Sequence, residues 1–65
     1  MPRIGQIVRQ LRRQRGLSQG KLAAKAKVSL NTIVKLEIGD NTNPTVGTLA
    51  TIARALGVSI HKLIP

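Results

Sequence analysis

Along most of this chain, apolar residues recur at the three- and four-residue spacing of one face of an α-helix. Ile4, Ile7, Val8 and Leu11 follow i, i+3, i+4, i+7, which predicts a first helix starting near Arg3. It should end at Gly16, a residue type favoured just past a helix C-terminus. Arg12, Arg13 and Arg15 then sit in its last turn, where cations suit the helix dipole. Leu22, Ala26, Leu30 and Ile33 could all share one further stripe, and no glycine or proline between Gly20 and Gly39 forces a break in it. The polar positions decide between one long helix and two short ones. In "LSQGKL" Ser18 can cap a helix, with Leu17 and Leu22 at the two positions of a hydrophobic staple. "VSLNTI" offers the same signal with Val28, Ser29 and Ile33. "VSIHKL" repeats it with Val58, Ser59 and Leu63, and "PTVGTL" is a variant with Thr45 and Leu49. Serine favours caps over helix interiors, and Asn31 and Thr32 also suit a first turn better. Ser29 therefore reads as the start of a separate helix.

The third helix should close at Gly39 and lead into "DNTNP", a loop rich in turn formers. A fourth helix is expected to carry Val46, Leu49, Ile52, Ala53 and Leu56 inward and to stop at Gly57. A fifth, short helix would take Ile60, Leu63 and Ile64 inward. The expected fold is all-α, five helices in a single domain over residues 1–65, with no strand signal and no low-complexity segment. The recurring capped starts are a local device rather than a repeat of solenoid period.

At 65 residues such a domain hides only about 60% of its unfolded surface and is marginal without help. Cysteine is absent and a lone histidine, His61, cannot make a zinc site, so no metal or cofactor is expected. Aliphatic helix packing must carry the fold, because there is no aromatic residue either. No apolar run approaches the ~18 residues of a membrane span, and no signal-peptide pattern opens the chain. Together with the lack of cysteine this fits a cytoplasmic protein. Eleven lysines and arginines against Glu37 and Asp40 leave a net charge of +9, which favours an anionic partner. Enzyme function is not expected. No nucleophile, base and orienting acid are grouped, no phosphate-binding glycine motif or small-molecule site is evident, and His61 reads as a solvated first-turn residue.

Short helices with a tight second–third junction resemble the Cro/repressor-type (lambda-repressor-like) helix-turn-helix family of phage and bacterial regulators. The residues that carry the likeness are "LRRQRGLSQGKLAAKAKVSLNTIVKLEIG" and then "NPTVGTLATIARALGVS", within a span from about Ile4 to Leu63. The resemblance places the motif at about residues 18–37. Ala23 would be the small residue where the second and third helices cross, and Ile33 and Leu36 the core anchors of a recognition helix. It also implies that Gln19 touches a DNA phosphate, and that Arg12 pairs with Glu37 and lies near a phosphate. Two departures stand out. Lys27 occupies the turn position where the family usually has glycine. Ile38 stands where a polar residue is common, and the "DNTN" that follows lacks the basic residues many relatives turn to phosphates.

With Ile33 and Leu36 inward, Leu30, Asn31, Val34 and Lys35 face outward or sideways. Asn31 can bond adenine N6 and N7, Lys35 can reach guanine O6 and N7, and Leu30 or Val34 can meet a thymine methyl. Thr32 can serve a phosphate or packing. Arg13 and Arg15 read equally as a phosphate-facing patch and as solvated cations at a helix end. The expected function is a sequence-specific regulator of transcription on double-stranded DNA, most simply a repressor, with antitoxin and restriction-modification controller subunits compatible. The resemblance implies a homodimer on a pseudo-palindrome, with Ile38, Val58 and the C-terminal apolar residues as candidate contacts. Two rivals belong to other classes. A cationic amphipathic protein of membrane surfaces would ordinarily carry Trp or Phe. A single-strand RNA reader would need aromatic stacking platforms.

Overall fold

A computed structural model of the chain describes residues 3–39 and 44–64. In order they form α1 (Arg3–Gln14), α2 (Gln19–Ala26), α3 (Leu30–Ile38), α4 (Val46–Leu56) and a single 3₁₀ turn (Ile60–Lys62). The chain does break at Ser29. That residue is extended, with φ −71° and ψ 153°, and its Oγ accepts the Thr32 N–H at 3.1 Å. Ser18 Oγ accepts the Lys21 N–H at 3.0 Å, and Thr45 Oγ1 the Thr48 N–H at 3.1 Å.

The apolar residue before each of the three serines also stops the helix that precedes it. Leu17 N–H donates to Arg12 O at 3.1 Å and Gly16 N–H to Arg13 O at 3.0 Å. Val28 and Lys27 make the same two bonds to Ala23 O and Ala24 O, at 3.0 and 3.2 Å. Val58 and Gly57 make them to Ala53 O and Arg54 O, at 3.0 and 3.1 Å. This pair of bonds is the Schellman helix end, which requires a left-handed residue at its centre. Gly16, Lys27 and Gly57 supply it with φ of 66°, 57° and 74°. Leu17, Val28 and Val58 then fold back, half-buried, onto the core. A three-residue unit, left-handed–apolar–Ser, therefore closes one helical element and opens the next with almost no connecting chain.

Short connections fold successive helices back onto one core. α2 packs on both α3 and α4, α1 packs on α3, and the 3₁₀ turn packs against α4. Val8, Leu22, Ile33, Leu36, Ile52, Leu56 and Leu63 are fully buried, with Ala23, Ala26 and Ala53 in the narrow gaps between helices. Each large aliphatic side chain so buried contributes about 1.5–3 kcal/mol before entropy is counted. α1 and α3 meet backbone to backbone. A Cβ on Gly5 would stand 2.0 Å from Leu36 O.

Four expectations are corrected. Among the described residues there are four α-helices, not five. Residues 60–62 form a 3₁₀ turn, with Lys62 N–H bonded to Ser59 O and Leu63 N–H to Ile60 O, both at 3.0 Å. At three residues per turn Ile60 and Leu63 eclipse on one face, so both reach the core, which a longer α-helical path is not needed to achieve. Ile64 falls off that face and is exposed. Ser59 makes no side-chain cap bond. Val46, the first residue of α4, is 74% exposed, because the inward stripe of α4 begins only at Leu49. The "DNTN" stretch, residues 40–43, lies outside the described residues.

Two substitutions test this packing. Gly5→Ala adds a helix-favouring residue, a gain of about 1 kcal/mol in isolation. The clash with Leu36 O should outweigh it and lower stability by about 1–3 kcal/mol, read from urea denaturation. Lys27→Gly should act in the opposite direction. Relief of the left-handed strain exceeds glycine's added unfolded-state entropy by about 0.5–1 kcal/mol, so the melting temperature should rise.

Candidate nucleic-acid interface

The faces of α3 are sharply divided. Ile33, Leu36 and Glu37 are buried, whereas Asn31 and Lys35 are exposed, one turn apart and so adjacent in space. Beside them Leu30 is 51% exposed and Val34 half-buried. Thr32 is half-buried too, and its Oγ1 lies 2.8 Å from Ser29 Oγ, within the cap that opens the helix.

The inward acid of α3 ties three helices together. Arg12 of α1 grips Glu37 with a two-pronged contact, Nε donating to Oε2 at 2.7 Å and Nη2 to Oε1 at 3.1 Å. Its third nitrogen, Nη1, donates to Leu17 O at 2.7 Å, in the turn before α2. Gln19, the first residue of α2, donates from Nε2 to Glu37 Oε1 at 3.0 Å. The Glu37 side chain is only 3% exposed and that of Arg12 11%. Among the described residues no buried side-chain nitrogen or oxygen lacks a partner.

The arginine run separates by tertiary role. Arg12 is in the ion pair, and Arg15 Nε donates to Leu56 O at the end of α4, where a cation also meets the negative end of that helix. Arg9 and Arg13 are exposed and, with Arg12, Ser18, Gln19, Glu37 and Ile38, line an open groove of about 420 Å³. The bond from Gln19 to Glu37 adds a member to the expected Arg12–Glu37 pair, and its one signal in the sequence is a lone acid on a helix of so basic a chain. Arg15 reaching α4 has no signal in the local sequence. Of the candidate dimer contacts, Ile38 is 67% exposed and Val58 half-buried, while Leu63 is buried in the core and unavailable. No helix among the described residues is long and apolar enough to cross a membrane.

A helix-turn-helix family model matches residues 8–63. The chain belongs to that family. In this helix-turn-helix domain a tight turn joins α2 to α3, and Lys27 holds its left-handed position. The transcriptional regulator SinR of Bacillus subtilis (strain 168) is 36% identical over 61 residues, spanning 94% of this chain and 55% of SinR. The immunity repressor of Bacillus phage phi105 is 34% identical, over 94% of this chain and 42% of the repressor. The chain thus spans about half the length of these relatives, which are named as regulators, not enzymes. A crystal structure of SinR in complex with DNA superposes with a TM-score of 0.92 at 35% identity, covering 95% of this chain and 98% of that one.

Glu37→Gln tests the junction. It leaves the Arg12 guanidinium buried without its counter-charge, which should lower stability by about 3 kcal/mol or more. An unchanged urea midpoint would show that the pair adds nothing to the fold.

Proposed function

We propose that the chain is a sequence-specific DNA-binding transcriptional regulator, a repressor that occupies its operator as a homodimer and acts without catalysis in the cytoplasm. The observation that carries this reading is the outward face of α3. Asn31 and Lys35 stand free and side by side on a helix whose other face is locked into the core. Both side chains suit purine edges in the major groove, and the exposed Leu30 with Val34 suits a thymine methyl. SinR, whose solved complex holds DNA, supports the assignment.

Gln19 and Thr32 then serve the DNA backbone. Gln19 keeps one amide hydrogen and its Oε1 free after donating to Glu37, and it opens α2, where backbone N–H groups favour an anion. Arg12 lines the same groove with its guanidinium held by Glu37 and Leu17 O, so its part is to fix the wall beside the phosphate rather than to bring a net charge. In a symmetric dimer the two copies of α3 would lie about 34 Å apart, one turn of DNA.

The test starts by selecting binding sites from random duplex DNA and measuring the stoichiometry of the complex. Asn31→Ala and Lys35→Ala should each relax preference at one base position by about 1–3 kcal/mol, with a much smaller effect on a scrambled duplex. Equal losses on both duplexes would remove base readout from these two residues.

A further inference from the structure

We infer that Arg9 and Arg13 form a second backbone clamp on α1, each taking one phosphate of the DNA strand beside the one assigned to Gln19. The inference rests on the DNA reading above and adds two residues to it. Within the groove, Arg12 and Glu37 neutralise each other, so the uncompensated charge belongs to Arg9 and Arg13. Among the described residues neither has an acidic partner, since the one acid there, Glu37, already accepts from Arg12 and Gln19. The two arginines are four residues apart on one face of α1, an arrangement of like charges that disfavours an isolated helix. The helix dipole offsets this for Arg13 in the last turn, but not for Arg9 in the middle of α1. The other arginines that follow Arg9 in α1 and its end, Arg12 and Arg15, are held by carboxylate or carbonyl oxygens of the fold. What remains is a concavity with two guanidiniums that have no acidic partner among the described residues, beside Gln19, and the planar guanidinium fork matches phosphate oxygens.

The test compares the parent chain with Arg9→Gln/Arg13→Gln on the selected duplex and on a scrambled one, over a range of salt. As a control of equal charge, Arg54→Gln/Lys62→Gln alters exposed residues that do not line the groove. The clamp variant should keep or raise its melting temperature, since repulsion on α1 is relieved. Its log–log salt dependence should flatten by about 1.8, near 0.9 per lost contact, equally on both duplexes. Ethylation of single phosphates should reveal two positions that weaken the parent and leave the variant indifferent. A control that flattens the slope as much, or an ethylation pattern identical in parent and variant, would overturn the clamp and leave only a diffuse field. Inorganic phosphate at constant ionic strength should not displace the parent from DNA; displacement that vanishes in the variant would instead assign the groove to a free anion. A parent that binds no duplex at any salt removes the DNA reading and the clamp with it, a result distinct from a parent that binds and a variant whose slope is unchanged.

Discussion

Three of the four helices meet at one carboxylate. α3 turns Glu37 inward beside Ile33 and Leu36, and the acid is held from α1 by Arg12 and from the start of α2 by Gln19. Taking two charges out of water offsets most of their attraction, so a buried pair of this kind is a poor source of net stability compared with apolar packing. What it adds is direction. A guanidinium fork bound through two nitrogens to two carboxylate oxygens tolerates little rotation. The third nitrogen bonds Leu17 O, in the turn between α1 and α2. Gly5 acts with it at the other end of α1, where the absence of a side chain lets the two backbones touch at Leu36. α3 is thus fixed in tilt by the ion pair and in depth by the glycine.

Elements whose causes are local are legible in the amino-acid sequence. Ser18, Ser29 and Thr45 cap because a side-chain oxygen needs only an amide three residues on. The double duty of Leu17, Val28 and Val58 is half legible, as the residue before a cap but not as the residue that ends the previous helix. Local pattern misleads where tertiary packing places a few residues. Val46 and Ile64 are apolar and near the right period, yet they fall at the edges of their elements, beyond the reach of the core. Ile60–Lys62 is too short for periodicity to separate a 3₁₀ turn from an α-helix. Likewise nothing local distinguishes Arg9, Arg12, Arg13 and Arg15. Their fates depend on which neighbour the fold brings up: Glu37, Leu56 O or open solvent.

The charge balance follows from that sorting. A net charge of +9 on a 65-residue domain would repel itself if spread evenly over the surface. Here one arginine is neutralised inside and another is held by a helix end, so the fold absorbs part of the load. Long-range attraction to a polyanion needs only the sum of the remaining charges and is screened within about 8 Å at physiological salt. Choice among sequences needs contacts at atomic distance, which the sum cannot supply. On the proposed reading, such a domain approaches any duplex through its charge, while discrimination falls to a few uncharged or singly charged side chains on α3.

That division reaches into α3 itself. Nine residues are too few for a helix to hold in water on its own propensity, so α3 exists because its inner face is packed. Its inner residues, Ile33, Leu36 and Glu37, therefore carry the folding of the helix, together with the cap at Ser29 and the left-handed stop at Gly39. The outer residues Leu30, Asn31 and Lys35 contribute little to that packing, and surface substitutions away from such features ordinarily shift stability by no more than about 0.5 kcal/mol. If this face reads bases as proposed, preference for one base sequence over another can change along it while the fold stays intact. Thr32 and Val34 are the exceptions, since each is half-buried: Thr32 shares its hydroxyl with the cap, and Val34 lies at the margin between the two faces. A change at either alters how α3 is seated as well as what it presents, so under the proposed base readout these two positions would couple specificity to stability and the other three would not.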